Sequence, residues 1–370
     1  MITLSLCMIV KNEEDTLARC LDSVKDVFDE IVIVDTGSTD KTKEIASRYT
    51  DLIYDFEWVY NFSTARNFSF SKATKEYIMW LDADDVILKE DREKLLELKK
   101  DLSPDIDTVI MQYKLLQKDS QDIACSFYRE RIVKRSNNFE WQDPVHEYIL
   151  YGGKTIKAEI AVTHKKLHPP TRRNIEIFEK YIEQGNELSQ RNWFYYAREL
   201  FNIGEYDKAA EYYNKFLDTT KGLLSNYLDS CIELSAYYDK QNDDINSLKT
   251  LLRYFEKGGP RAEICCKLGY YYKERKDYQN AIAWFALAPY TIKPESLGSI
   301  MPQFWDYIPY MELCACSFKS GKVDDAIKYN EKAAEVCPED LKILHNRTYL
   351  AGVKEKSIVN KNNNTTPISS

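Results

Sequence analysis

The chain has 370 residues, 30% of them charged, and a formal net charge of -8. This length exceeds one ordinary small domain and predicts two, and the acidic balance excludes a protein whose main task is gripping nucleic-acid phosphate. Nine cysteines, an odd number with no C-x-x-C pair and no zinc-like Cys/His spacing, are expected to be reduced residues filling a core.

The opening MITLSLCMIVKNEE has no basic leader, and its apolar run stops after about ten residues, too short for a signal peptide or a membrane span. A cytoplasmic protein without a membrane span is the expectation. Short β-branched runs follow at 2–10, 30–36, 51–57, 77–83 and 107–114. Between the first two, EEDTLARCLDSVKDVF places Leu17, Cys20, Leu21, Val24 and Phe28 at helical spacing, and STDKTKEIASRY follows the second run. Continuous apolar strands alternating with helices predict a mostly parallel sheet covered on both faces.

In such sheets a ligand sits beyond the carboxyl ends of the strands. Three of those ends are polar here: residues 11–14 (KNEE), residues 35–40 (DTGSTD) and residues 82–85 (DADD). Alone, each has a plainer use as a turn or a helix N-cap. Three carboxylates with one alanine among them, however, repel each other unless a cation or a basic partner neutralises them. Hard divalent cations take such oxygen ligands and bridge them to a diphosphate, which points to a nucleotide diphosphate. Asp85 is expected only to cap the helix that follows.

Downstream, residues 126–153 hold Arg129, Arg131, Arg135, Trp141, Asp143, His146 and Glu147, and three of the four histidines fall at 146, 164 and 168. From about residue 176 the chain turns helical and Tyr-rich. Trp193, Ala197, Leu200, Gly204, Tyr206, Ala209, Tyr213 and Phe216 have counterparts at Cys265, Gly269, Tyr272, Tyr278, Ala281, Phe285 and Ala288. A third copy runs through Tyr310, Cys314, Gly321, Ala326, Ala333 and Pro338, and 225–255 reads as a degenerate one. Small residues followed by large aromatics in this order resemble tetratricopeptide repeats. The expected boundaries are 1–175 for the catalytic domain, 176–350 for the repeats and 351–370 for a disordered tail without apolar period.

SLCMIVKNEEDTLARCLDSV, EIVIVDTGSTDKT and FSTARNFSFSKATKEYIMWLDADD, in this order and spacing, resemble the nucleotide-binding half of family 2 glycosyltransferases with the A-type fold. The resemblance implies a nucleotide-sugar donor, a UDP-linked hexose such as UDP-glucose or UDP-GlcNAc, a divalent Mg²⁺ or Mn²⁺, and inversion at the anomeric carbon. It makes Asp35 the reader of the uracil ring, with Val10, Asn12 and Glu13 lining the nucleotide pocket. Arg66 and Asn67 fall near the diphosphate, Asp82 and Ala83 at the ribose or the metal, and Asp84 becomes the direct metal ligand. Val10-Lys11-Asn12-Glu13 departs from the family's usual Pro-x-Tyr-Asn-Glu and leaves Lys11 without a role.

The later block resembles a narrower branch of the same family. There His164 is the implied third metal ligand, Glu147 or Asp143 the general base, and Arg172 or Arg131 a diphosphate contact. That branch includes bacterial enzymes with tetratricopeptide C-terminal halves that glycosylate a cysteine, serine or threonine of a peptide, as in bacteriocins. A concave helical surface suits such an acceptor. A saccharide or lipid-linked acceptor is the alternative within the class, and a repeat scaffold with a retired transferase domain is the alternative outside it. The repeats also allow a homodimer, while the absence of Q-x-x-R-W disfavours a processive synthase.

Overall fold

The computed structural model describes residues 1–116, 123–165, 172–219, 222–293 and 301–363. The chain divides into two compact units, one running Met1–Tyr212 and the other beginning at Tyr213.

The first unit is a sheet with helices on its faces. In chain order it contains β1 (Leu4–Val10), α1 (Leu17–Asp22), β2 (Glu30–Asp35), α2 (Thr42–Ala46), β3 (Ile53–Asp55), α3 (Phe62–Lys72), β4 (Tyr77–Trp80), β5 (Asp85–Val86) and α4 (Lys89–Asp101). Then come β6 (Thr108–Leu116), β7 (Ile123–Lys134), β8 (Trp141–Gln142), β9 (Tyr148–Ile149), β10 (Thr155–His164), α5 (Arg173–Glu183), α6 (Gln190–Asn202) and the first residues of α7 (Tyr206–Leu217), within which the division falls. The eight-stranded sheet has the order β3-β2-β1-β4-β7-β6-β10-β5. Its β3-β2-β1-β4 half is parallel, as the continuous apolar runs predict. β7 joins the two halves antiparallel to both β4 and β6, and β10 lies parallel to β6.

Alternate residues of β1 feed opposite faces. Leu4, Leu6, Met8 and Val10 enter one apolar cluster with Leu17, Cys20, Leu21, Val24 and Val27, whereas Cys7 enters the other with Val32, Val34, Trp80 and Trp141. The first predicted helix is shorter than its apolar spacing: α1 stops at Asp22, where the Ser23 hydroxyl donates to the Cys20 carbonyl at 2.7 Å. A serine that bonds the backbone locally competes with helix continuation. Val24 and Val27 are nevertheless fully buried, from turns rather than from helix.

The second unit is built of helical hairpins: α8 (Leu224–Lys240) with α9 (Asp244–Arg253), α10 (Ala262–Glu274) with α11 (Tyr278–Leu287), α12 (Tyr307–Lys319) with α13 (Val323–Val336), and then α14 (Leu341–Asn363). The turns repeat one device. A left-handed residue, Asn242, Lys276 or Gly321, ends the first helix. The next amide donates five residues back: Asp243 to Tyr238 O at 2.9 Å, Asp277 to Tyr272 O at 3.0 Å, Lys322 to Ser317 O at 2.9 Å. Asp243 and Asp277 then cap the following helix by accepting from Asn246 N and Asn280 N. The expected tail from 351 is corrected in part. α14 continues to Asn363, because its buried Ile343 and Leu350 dock the first turns and extending a nucleated helix needs no apolar face.

Among the described residues no helix is long and apolar enough to cross a membrane, and the eight cysteines whose side chains are described are free.

A Cβ at Gly269 would lie 2.7 Å from the Phe285 ring. Gly269→Ala is therefore expected to cost about 1–3 kcal/mol, read as a lower urea midpoint. In the first unit the Glu30 carboxylate accepts from Ser5 Oγ at 2.6 Å and from Thr74 N and Oγ1 at 2.8 and 2.6 Å. Burial alone would raise its pKa, but these bonds hold it below the ordinary value. The stability it contributes is complete above its unfolded pKa of about 4.3 and is lost as pH falls through the lower folded value. Glu30→Gln should flatten the decline of the urea midpoint on acidification below about pH 4.

Candidate active site

The strand ends place the acids. After β4 the chain passes through residues 81–84 into the two-residue β5, which pairs antiparallel with the end of β10 so that Asp85 faces His164 across the ladder. The Lys165 amide donates to the Asp84 carbonyl at 3.0 Å. Arg19 of α1 clamps the same junction, with Nη2 2.8 Å from the Lys165 carbonyl and 3.5 Å from that of Asp84. Ligand atoms of Asp84, Asp85 and His164 consequently lie within 4.8 Å of one another.

Asp85 is fully buried and caps no helix: α4 has no side-chain cap, and the Asp85 carboxylate accepts instead from Tyr113 Oη at 2.8 Å, Arg131 Nη1 at 3.2 Å and the Asp82 amide at 3.1 Å. Arg131, also fully buried, lies 3.7 Å from the Trp80 ring centroid and 4.4 Å from that of Tyr113. Its Nε and Nη2 have no hydrogen-bond partner, consistent with a guanidinium held against aromatic faces. The expected diphosphate contact from Arg131 is thus replaced by a buried counter-charge for Asp85.

Arg66 is the second buried cation. Its Nε donates to Glu147 at 2.7 Å and its Nη2 to Asp82 at 2.7 Å, and it lies 5.0 and 4.7 Å from the Trp80 and Trp141 centroids. Burial alone would lower its pKa, but Asp82 and Glu147 raise it well above the ordinary value. Burial would likewise raise Asp82, yet Arg66 and Arg131 bring that carboxyl down to about 2. His164 is opposed by burial and lifted to about 10 by Asp84 and Asp85, both 3.3 Å from Nδ1.

The β1 and β2 ends are laced together. Ser38 Oγ accepts from the Asn12 amide at 2.9 Å, Asn12 Oδ1 accepts from Thr39 N at 2.8 Å, and Thr42 Oγ1 accepts from Glu13 N at 2.7 Å. Asn12 is left-handed, with φ 54°. Val10 is buried, its carbonyl accepting from the Thr36 amide at 2.9 Å. Asp35 is buried as well, and both its oxygens accept from the Ser38 amide, so in this structure it shapes the turn. Ala83 is buried in the core cluster of β1.

The remaining expected site residues separate. Asn67 brackets the Trp141 backbone, donating to its carbonyl at 3.1 Å and accepting from its amide at 2.8 Å, so it fixes β8 rather than facing the acids. Of the two base candidates, Glu147 joins Arg66, whereas Asp143 turns to α6 and accepts from Arg191 at 2.8 Å and Asn192 at 3.1 Å. Arg172 is half-exposed and paired with Glu205 at 2.8 Å. His168 lies outside the described residues. Sequence reading passed over Asp85 and Tyr113: Asp85 was legible as an acid but not as a buried one, and Tyr113 carried no signal beyond strand alternation.

A parallel half-sheet thus carries carboxylates at its strand ends, and a histidine from a later strand joins them. Residues 5–150 match the model described as Glycosyl transferase family 2. The chain is 34% identical over 151 residues to a TPR repeat-containing protein of Synechococcus elongatus, covering 40% of this chain and 36% of that protein. It is 27% identical over 288 residues to the SPbeta prophage-derived glycosyltransferase SunS of Bacillus subtilis, covering 73% of this chain and 65% of SunS. Among solved structures it is similar to MamA at 20% identity, over 44% of this chain and 80% of that one, with a TM-score of 0.35.

Removing one member of a fully buried pair strands the other's charge. Arg131→Ala should therefore cost about 3–5 kcal/mol in urea unfolding, more than Arg172→Ala at the exposed pair.

Proposed function

We propose that this chain is a metal-dependent, inverting glycosyltransferase that moves a hexose from a UDP-sugar, such as UDP-glucose or UDP-GlcNAc, to a serine, threonine or cysteine of a peptide or protein. One observation carries the reading. In the side-chain network at the strand ends, the guanidiniums of Arg66, Arg129 and Arg131 face the carboxylates of Asp82, Asp84, Asp85, Glu130 and Glu147, leaving two negative charges in excess if His164 is neutral. That imbalance, with carboxylate oxygens and one imidazole as donors, fits Mg²⁺ or Mn²⁺.

Asp84 and His164, each with 22% of its side chain exposed, would hold the cation, while Asp85 orients His164 from the buried side. When bound, the cation supplies neutralisation of charge on the departing diphosphate. Asp82 faces the ribose side with its orientation fixed by Arg66. The laced β1 and β2 ends, through Val10, Asn12, Glu13 and Asp35, form the floor for the base and ribose. Glu147, held by Arg66, takes the proton from the acceptor hydroxyl or thiol as it attacks the anomeric carbon in line. Stacked helical hairpins are a surface that suits an extended or helical peptide acceptor, and the similarity to the glycosyltransferase SunS extends beyond residue 150 into the helical region.

Titration of UDP-glucose and UDP-GlcNAc into the protein with Mn²⁺ or Mg²⁺, followed by UDP release, tests the reading. Asp84→Asn is expected to lower turnover by about 100-fold or more and to weaken Mn²⁺ binding. If neither donor binds nor turns over and Asp84→Asn changes nothing, the scaffold alternative replaces this reading.

A further inference from the structure

Between β8 and β9 lies a five-residue loop, 143–147, that delivers Glu147 to Arg66. Two of its residues, Asp143 at φ 71° and His146 at φ 54°, hold left-handed backbone without being glycine. Such conformations persist only where the surroundings over-determine them. The surroundings here are two helices. The start of α3 holds one side, with Phe62 N 3.0 Å from the Pro144 carbonyl and Ser63 Oγ donating to the Asp143 carbonyl.

The other side is held by α6, whose residues lie beyond the matched 5–150 stretch. Arg191 Nη1 donates at 2.8 Å both to Asp143 Oδ2 and to the His146 carbonyl, and Asn192 Nδ2 donates to Asp143 Oδ1 at 3.1 Å. Glu199 Oε1 lies 2.8 Å from His146 Nε2 and also accepts from Asn174 of α5 at 2.8 Å. The His146 ring stacks on Tyr195, centroids 4.3 Å apart and planes 22° from parallel. Arg191 in turn lies against Tyr195 and against Tyr148, the residue after Glu147, at 4.5 and 4.6 Å from their centroids. Successive turns of one helix thus grip both left-handed residues and the residue that follows the loop. Among the described residues, Glu147 itself hydrogen-bonds Arg66 and, through its carbonyl, Arg129.

We propose that Arg191 and Glu199 of α6 are positioning residues for Glu147: they fix the backbone of loop 143–147 so that the Glu147 carboxylate stays on Arg66, beside Asp82. α6 therefore completes the transfer site rather than serving only as the first of the stacked helices. This rests on the transferase reading above. It assigns Asp143 to the same brace, since both of its carboxylate oxygens are taken up by α6.

The test uses the full chain, Mn²⁺ and whichever UDP-sugar the wild type hydrolyses, with kcat and KM measured separately. Glu199→Ala is expected to lower kcat about 10-fold or more while donor KM stays within about twofold, because a misplaced group costs the chemical step rather than donor binding. Glu199→Gln keeps an acceptor for Asn174 and His146 and is expected to restore most of the rate. Arg191→Lys should fall between them. Far-UV circular dichroism at the assay temperature gives the folded fraction; a kcat loss no larger than the unfolded fraction, or unchanged kcat in Glu199→Ala, overturns the proposal. Should Glu199→Ala fail to fold, Tyr195→Leu, which removes the stacked ring, is judged by the same criteria. A wild type that hydrolyses no UDP-sugar defeats the transferase reading and this proposal with it, whereas an active wild type with unaffected variants defeats the proposal alone.

Discussion

A guanidinium packed against two touching indoles ties the first unit's chemistry together. Arg66, buried beside the Trp80–Trp141 pair, bonds Asp82 at the end of β4 and Glu147 in the β8–β9 loop. Burying a charge is costly unless partners replace the lost water, and two carboxylates at 2.7 Å do so here. The two tryptophans, 4.9 Å apart and edge to face, are part of the apolar cluster on one face of the sheet. The ion network is therefore anchored in the same packing that stabilises the sheet, and displacing any of these side chains moves a catalytic candidate.

Topology then decides which acids meet which bases. The parallel half-sheet delivers the 82–85 acids to one end, and β7, running antiparallel, brings Arg129 and Arg131 under them from a distant part of the sequence. The short antiparallel contact of β5 with β10 sets His164 against Asp85. Arg66 is turned onto Asp82, Arg131 onto Asp85, and the His164 imidazole onto both Asp85 and Asp84. Three neighbouring acids thereby acquire three different sets of partners.

In the second unit, one turn geometry recurs while the sequences differ. Asn242, Lys276 and Gly321 all adopt left-handed backbone, although only the last is a glycine. The five-residue return bond from the next amide satisfies a carbonyl the helix end would otherwise leave open. Close approach is enforced at Gly269, where the Phe285 ring occupies the space a side chain would need. Small residues at fixed places are thus a packing requirement of the hairpins.

Local pattern fixed a good deal. Apolar runs made the strands of the parallel half, the small-then-aromatic order made the hairpins, and the clustering of acids at a strand end marked residues 82–85 as carboxylates in need of a neutralising partner, while the ligand roles of Asp84 and His164 came only with the family resemblance. These features depend on neighbours in sequence or on simple periodicity, so a linear reading reaches them. It does not separate an exposed acid from a buried one, so it makes Asp85 a cap and Arg131 a diphosphate contact, and it sets Asn67 near the diphosphate and Asp143 as a base instead of on Trp141 and α6. The direction of a side chain and the partner that neutralises it are set by residues tens of positions away, brought together only when the sheet closes. Composition and spacing determined which chemical groups this protein owns; the burial that makes a charge choose its partner was decided by the tertiary fold.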